Sequence, residues 1–143
     1  MPAAYDALLQ NFADTFQLPV ESLAVSPEIT VNDVVISLHY EGLEDGAGDV
    51  LLYAVLGSPP PGTEDAACRA MLLANHLWSG TGGATLGLMD DGRATMSYRT
   101  PLATLHAEGL ATTLDLFSEQ ALQWRELIQL PEAIAEMNAG VPA

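Results

Sequence analysis

Three histidines, His39, His76 and His106, are the first side chains to ask for acid–base or metal chemistry. Each lies in a different stretch of the chain, and none has a second His or a Cys at ligand spacing. There is no His-Glu-x-x-His, no Cys-x-x-Cys and no His-x-Glu with a Pro-Cys pair, so no metal site is expected. Ser79-Gly80-Thr81-Gly82-Gly83 looks like a phosphate loop in composition only. Such a loop follows a strand and opens a helix, so that amides and the helix dipole meet the anion. Here an apolar helical stretch precedes the glycines and a strand-like stretch follows, with no Lys, so the segment reads as a helix stop and a tight link. Acids cluster at Glu44-Asp45 with Asp49, and at Asp90-Asp91. The first cluster lacks the alternating acids and distant Glu of a calcium loop, and the second sits at a hairpin tip, so turn chemistry accounts for both. Ser79 has no Gly-x-Ser-x-Gly elbow around it, and Cys68 lies within an apolar stretch where a thiol is inert. No catalytic residue and no cofactor is expected, and the chain reads as a binding protein.

The bulk composition points the same way. The chain has 143 residues and 15.1 kDa, with 19 Asp and Glu against 4 Lys and Arg, giving a net charge of −15. All four cations are arginines, and Arg69, Arg93, Arg99 and Arg125 are scattered singly, which argues against nucleic acid and against anionic membrane surfaces. With 49% hydrophobic residues it is no disordered polyanion. No apolar run reaches the ~18 residues of a membrane span. The first dozen residues lack the basic-then-apolar order of a signal peptide, and the single cysteine fits a reducing cytoplasm.

Periodicity then places the elements. Tyr5, Leu8, Leu9, Phe12 and Phe16 form one apolar stripe on a helix over 3–17, which Pro19 ends. From Ile29 the period changes to two: Ile29–Val31, a turn at Asn32-Asp33, a strand over Val34–Tyr40, and a strand over Val50–Leu56 whose continuous apolarity predicts cover on both faces. Thr63 is placed to cap a helix that runs to Trp78, with Glu64 and Asp65 in its first turn. That helix is apolar on nearly every side. Either it is wholly internal or its second face meets another subunit, and in a chain with three helices the second subunit is the better explanation. Strands at 84–89 and 94–100 flank Asp90-Asp91-Gly92, and a last helix from about His106 to Leu130 carries the stripe Leu110, Leu114, Phe117, Ala121, Trp124 and Ile128. The expected fold is α+β, in the order α-β-β-β-α-β-β-α, with an antiparallel sheet flanked by three helices and assembled as a homodimer. Residues 1–130 are expected to form a single domain, and 131–143 a weakly ordered tail.

The segment from Met71 to Leu88, MLLANHLWSGTGGATLGL, resembles the class I type III secretion chaperones of the Tir-chaperone family. The likeness lies in the apolar helix ending in Leu-Trp, the Gly-rich link and the strand Gly-Ala-Thr-Leu-x-Leu. The hairpin Asp90-Asp91-Gly92-Arg93 and the lead-in Pro101-Leu102 to a helix with a late Trp124 extend it over residues 3–128. The resemblance implies a cytoplasmic homodimer that binds the N-terminal chaperone-binding region of a secreted effector. It would keep that region soluble, partly extended and competent for secretion, with the secretion ATPase as a further partner. It also implies a dimer seam at Ala67, Met71, Ala74, Leu77 and Trp78, supported by Ala84, Leu86 and Leu88, so that Met71→Glu should split the dimer. Effector grooves would use Leu8, Leu9, Phe12 and Phe16 with Val35, Leu38 and Tyr53, although residues on such a stripe more often belong to a core. Two other readings stay open on composition: a small enzyme using clustered carboxylates, and an acidic regulator or mimic that blocks a basic protein surface.

Overall fold

A computed structural model describes residues 3–17, 28–43 and 47–139 of the chain. Helix α1 (Ala3–Phe16) is followed by β1 (Glu28–Val31), β2 (Val34–Glu41) and β3 (Asp49–Gly57), then α2 (Glu64–Asn75), β4 (Thr85–Leu88), β5 (Ala94–Pro101), α3 (Ala107–Leu127) and α4 (Pro131–Ala139). The five strands form one sheet in the order β1-β2-β3-β5-β4, and the β1–β2, β2–β3 and β4–β5 pairs are antiparallel. The α+β class and the order of elements are as the periodicity predicts, with a fourth helix added.

The chain divides into two compact units, Met1–Tyr53 with Tyr98–Ser118, and Ala54–Ser97 with Glu119–Ala143. In the first, Asn32 and Asp33 both take left-handed φ values of 50° and 65°, the geometry of a two-residue hairpin turn that matches strand twist. This sets the register Val31↔Val34 and Thr30↔Val35. The Asn32 amide then reaches the Asp115 carboxylate at 3.1 Å and the Ser118 hydroxyl at 2.9 Å, tying the turn to α3. Val34, Ile36 and Leu38 point into the core, where Leu38 sits opposite Leu52. Over that core lies α1, with the Tyr5 ring 5.7 Å from that of Tyr40. Burial pushes the Tyr5 phenol up to about 12, with Asp6 adding to the shift.

In the second unit α2 rests its small residues, Ala67, Ala70 and Ala74, and also Met71 on the protein interior. α4 packs along it: Ile134 is buried, and the Asn138 amide donates to the Ala66 carbonyl at 2.8 Å. The Trp124 indole N–H closes on the Gly80 carbonyl at 3.1 Å. A Cβ at Gly80 would sit 2.8 Å from the Ala74 Cβ, so the first glycine of the Ser79–Gly83 link has a mechanical reason for being there.

Several local expectations are corrected. α1 stops at Phe16, and Gln17 turns left-handed at φ 54°; Pro19, expected to end it, lies outside the described residues. The Thr63 hydroxyl makes no cap bond to α2 and donates instead to the Pro60 carbonyl at 2.6 Å. α2 ends at Asn75, and the next three residues form a single 3-10 turn with Leu77 and Trp78 at φ 52° and 55°. β3 alternates strictly, Val50, Leu52, Ala54 and Leu56 buried and their neighbours half-exposed, so its second face is not fully covered within the protomer. The stretch after Pro131, expected as a tail, is helical to Ala139 because Ile134 and Asn138 give it an apolar anchor and a backbone partner.

Candidate functional site

The outer side of α2 is where this chain departs most from an ordinary soluble surface. Helical spacing puts Cys68, Leu72 and His76 on one line, with Leu73 beside them. Leu72 is 70% exposed, and Leu77 and Trp78 project further along the same end. Cys68, Leu72, Leu73 and His76, with Asp65 and Arg69 at the margin, border an open groove of about 510 Å³. A narrower cleft of about 220 Å³ lies between α2 and β4, lined by Met71, Leu72, Asn75 and Leu88 among others. Contiguous apolar surface of this kind on a charged protein marks a partner site.

The backbone is arranged to hold that surface out. Two consecutive left-handed residues with Cβ atoms cost about 1–2 kcal/mol each, and both are large and apolar. Bonds on either side hold the turn: Ser79 N–H to the His76 carbonyl at 3.2 Å, Gly80 N–H to the Ala74 carbonyl at 3.0 Å, and the Trp78 indole N–H to the Thr85 hydroxyl at 3.3 Å. Asn75 adds a two-pronged clamp. Its amide donates to the Leu86 carbonyl and its carbonyl accepts from the Leu86 N–H, both at 2.9 Å, so the side chain acts as a further strand beside β4. Asn75→Ala strands two half-buried backbone groups and is expected to cost about 1–3 kcal/mol. Thermal or urea denaturation checks this, and a loss below about half a kcal/mol would show the clamp to be incidental.

Five of the eight residues expected in a dimer seam, Ala67, Met71, Ala74, Ala84 and Leu86, are buried within their own protomer. Leu77, Trp78 and Leu88 are exposed. The sequence reading missed Leu72 and Leu73, which are the large open apolar side chains of α2 itself.

A second open face lies on the first unit. Val35 is 50% exposed, and the registers Ser37↔Tyr53 and His39↔Leu51 put His39, Leu51 and Tyr53 on that same side of the sheet, opposite α1. Of the expected effector residues, Leu8, Leu9, Phe12 and Leu38 are core; Phe16 and Val35 are open and Tyr53 is half-buried. The Phe16 ring leans on Phe12 at 4.9 Å, so one continues the other to the surface. Among the described residues no group of three or more His, Cys, Asp or Glu could hold a metal ion. No helix among them is long and apolar enough to cross a membrane.

The order of elements and the paired open faces are those of a protein-binding module, and the sequence places it. The chain belongs to the Tir chaperone protein (CesT) family, whose model matches residues 7–125; it is a family of chaperones and not of enzymes. No curated protein matches the sequence. Among solved structures, a chain of the ExsC–ExsE complex is similar, with a TM-score of 0.70 and 21% identity over 91% of this chain and 98% of that one. A chain of the HopA1–SchA chaperone–effector complex gives 0.64 and 17%, over 86% and 94%. A chain of the Yersinia pestis complex of the type III secretion chaperone SycH with a stable fragment of YscM2 gives 0.60 and 15%, over 84% and 98%. At these identities the likeness is one of fold.

Proposed function

We propose that this protein is a type III secretion chaperone. It binds the N-terminal chaperone-binding region of a cognate effector and keeps that region soluble, partly extended and competent for secretion. The observation that carries the reading is the family match over 7–125, joined to two apolar faces left open by the protomer. One face supplies the self-association: Leu72, Leu73, Leu77 and Trp78 on and after α2, with Leu88 from β4, meet the same residues of a second copy in a cytoplasmic homodimer. An isologous contact of this kind needs a self-complementary apolar patch, and the open leucines of α2 supply apolar area for it. The other face, with Val35, Leu51 and Tyr53, takes the effector segment by laying apolar side chains on the sheet, and Phe16 is a separate open contact at the end of α1. The buried members of both sets act behind these surfaces as their support.

The test is light scattering behind size-exclusion chromatography, on the chain alone and co-expressed with products of neighbouring genes. The expected result is a species near twice 15.1 kDa that carries one copy of a larger protein through high salt. A monomer that retains nothing would overturn the reading and return weight to an acidic mimic, whose binding collapses with salt.

A further inference from the structure

The unit built from residues 1–53 and 98–118 carries eleven Asp and Glu and a single Arg or Lys, Arg99. That guanidinium is already committed, with Nη1 3.2 Å from Asp49 and Nη2 3.4 Å from Glu41. Both carboxylates raise its pKa, Asp49 foremost by hydrogen bonding. The open sheet face of the same unit has an apolar centre of Val35, Leu51 and Tyr53. Its ladders end in acids: Glu28 stands opposite Ser37 on β1, and Glu41 opposite Asp49 where β2 meets β3. Arg99 offsets only one of the two charges where β2 meets β3, so the border keeps a net negative charge and selects its occupant by charge as well as by shape. A neutral segment would desolvate the rim without compensation, and an acidic one would be repelled.

We infer that the segment docking on this face is a basic amphipathic peptide. Its apolar side chains cover Val35, Leu51 and Tyr53 while its Lys or Arg side chains reach the bordering carboxylates. The inference rests on the chaperone reading above and adds the chemistry of the partner. Charge then governs the rate of arrival and the apolar strip governs residence.

The probes are three synthetic peptides of about 16 residues, long enough to cross the sheet. They share alternating Val and Ile positions and differ in having Lys, Ser or Glu between them. Their binding to the whole protein is followed by fluorescence anisotropy at physiological salt. The Lys peptide is expected to bind at least about tenfold tighter than the Ser peptide, the Glu peptide weakest of the three. Val35→Glu is expected to weaken the Lys peptide about tenfold or more although it adds a negative charge, and the uncharged Val35→Ser to weaken it in the same direction. Equal binding of the Lys and Ser peptides would overturn the inference. So would unchanged or tighter binding by Val35→Glu, which marks mere attraction to an acidic protein. Either result leaves intact the co-expression test of the chaperone reading, which fails only if no neighbouring product is retained.

Discussion

Met71→Glu is expected to leave no folded protomer, rather than to split a dimer into folded halves. Met71 is 4% exposed and sits on the inward side of α2 with Ala67, Ala70 and Ala74. A carboxylate there finds no cation, and it either stays charged at a cost of several kcal/mol or protonates and still leaves its polar atoms unmatched. The methionine's own packing is lost as well, about 2–5 kcal/mol for removal of a buried side chain of that size. Together these approach the whole stability of an ordinary domain, about 5–15 kcal/mol. Circular dichroism should show no cooperative melting transition at room temperature and above. A folded monomer by sedimentation would instead return Met71 to the seam.

Leu72→Glu, one position further along, is expected to do the opposite. Leu72 is 70% exposed, so the substitution touches no core atom and the melting transition of the protomer should hold within about half a kcal/mol. In the proposed homodimer the change appears twice, because both copies present the same helix. An anchor residue at the centre of an interface is worth about 2 kcal/mol or more, so the two copies cost about 4 kcal/mol, near a thousandfold in the dimer Kd. Sedimentation of Leu72→Glu at micromolar concentration should give a single species near 15.1 kDa. A dimer that persists would show that the α2 groove faces something other than its own copy.

The contrast between these neighbours also shows what was legible in the sequence. Period found α1, the β1–β2 hairpin, β5 and the buried stripe of α3, because one face of each is apolar and the other is not, whereas β3 was legible only as a continuous apolar run. α2 defeats that logic, since it is apolar on two sides and amphipathicity cannot say which side is in. Side-chain size could have said it. Ala67, Ala70 and Ala74 recur at three and four on the buried side, whereas the larger Leu72 and Leu73 stay exposed. Of the eight residues expected in the seam, five are therefore buried in the protomer, and Leu77, Trp78 and Leu88 are open. The turn at Leu77 and Trp78 was illegible for another: no propensity favours two consecutive left-handed residues with large side chains, and the turn is held by tertiary bonds to Thr85 and Ala74. Likewise α4 lies beyond the matched family span, and its short apolar content reads as a tail until Ile134 is seen buried.

The two units interleave along the chain, and this sets an order of events during synthesis. The β1–β2–β3 meander and α1 leave the ribosome first, but their unit needs Tyr98–Ser118 before it is complete. The second begins within β3 at Ala54 and needs residues from Glu119 onward, including α4. Neither unit can close on local contacts, and the pairings that finish each one are far apart in sequence, which slows folding and prolongs the exposure of strand edges. A member of a chaperone family thus passes through a stage in which its own edges are open. The repulsion among its many acids then keeps nascent copies apart until the last helix seats.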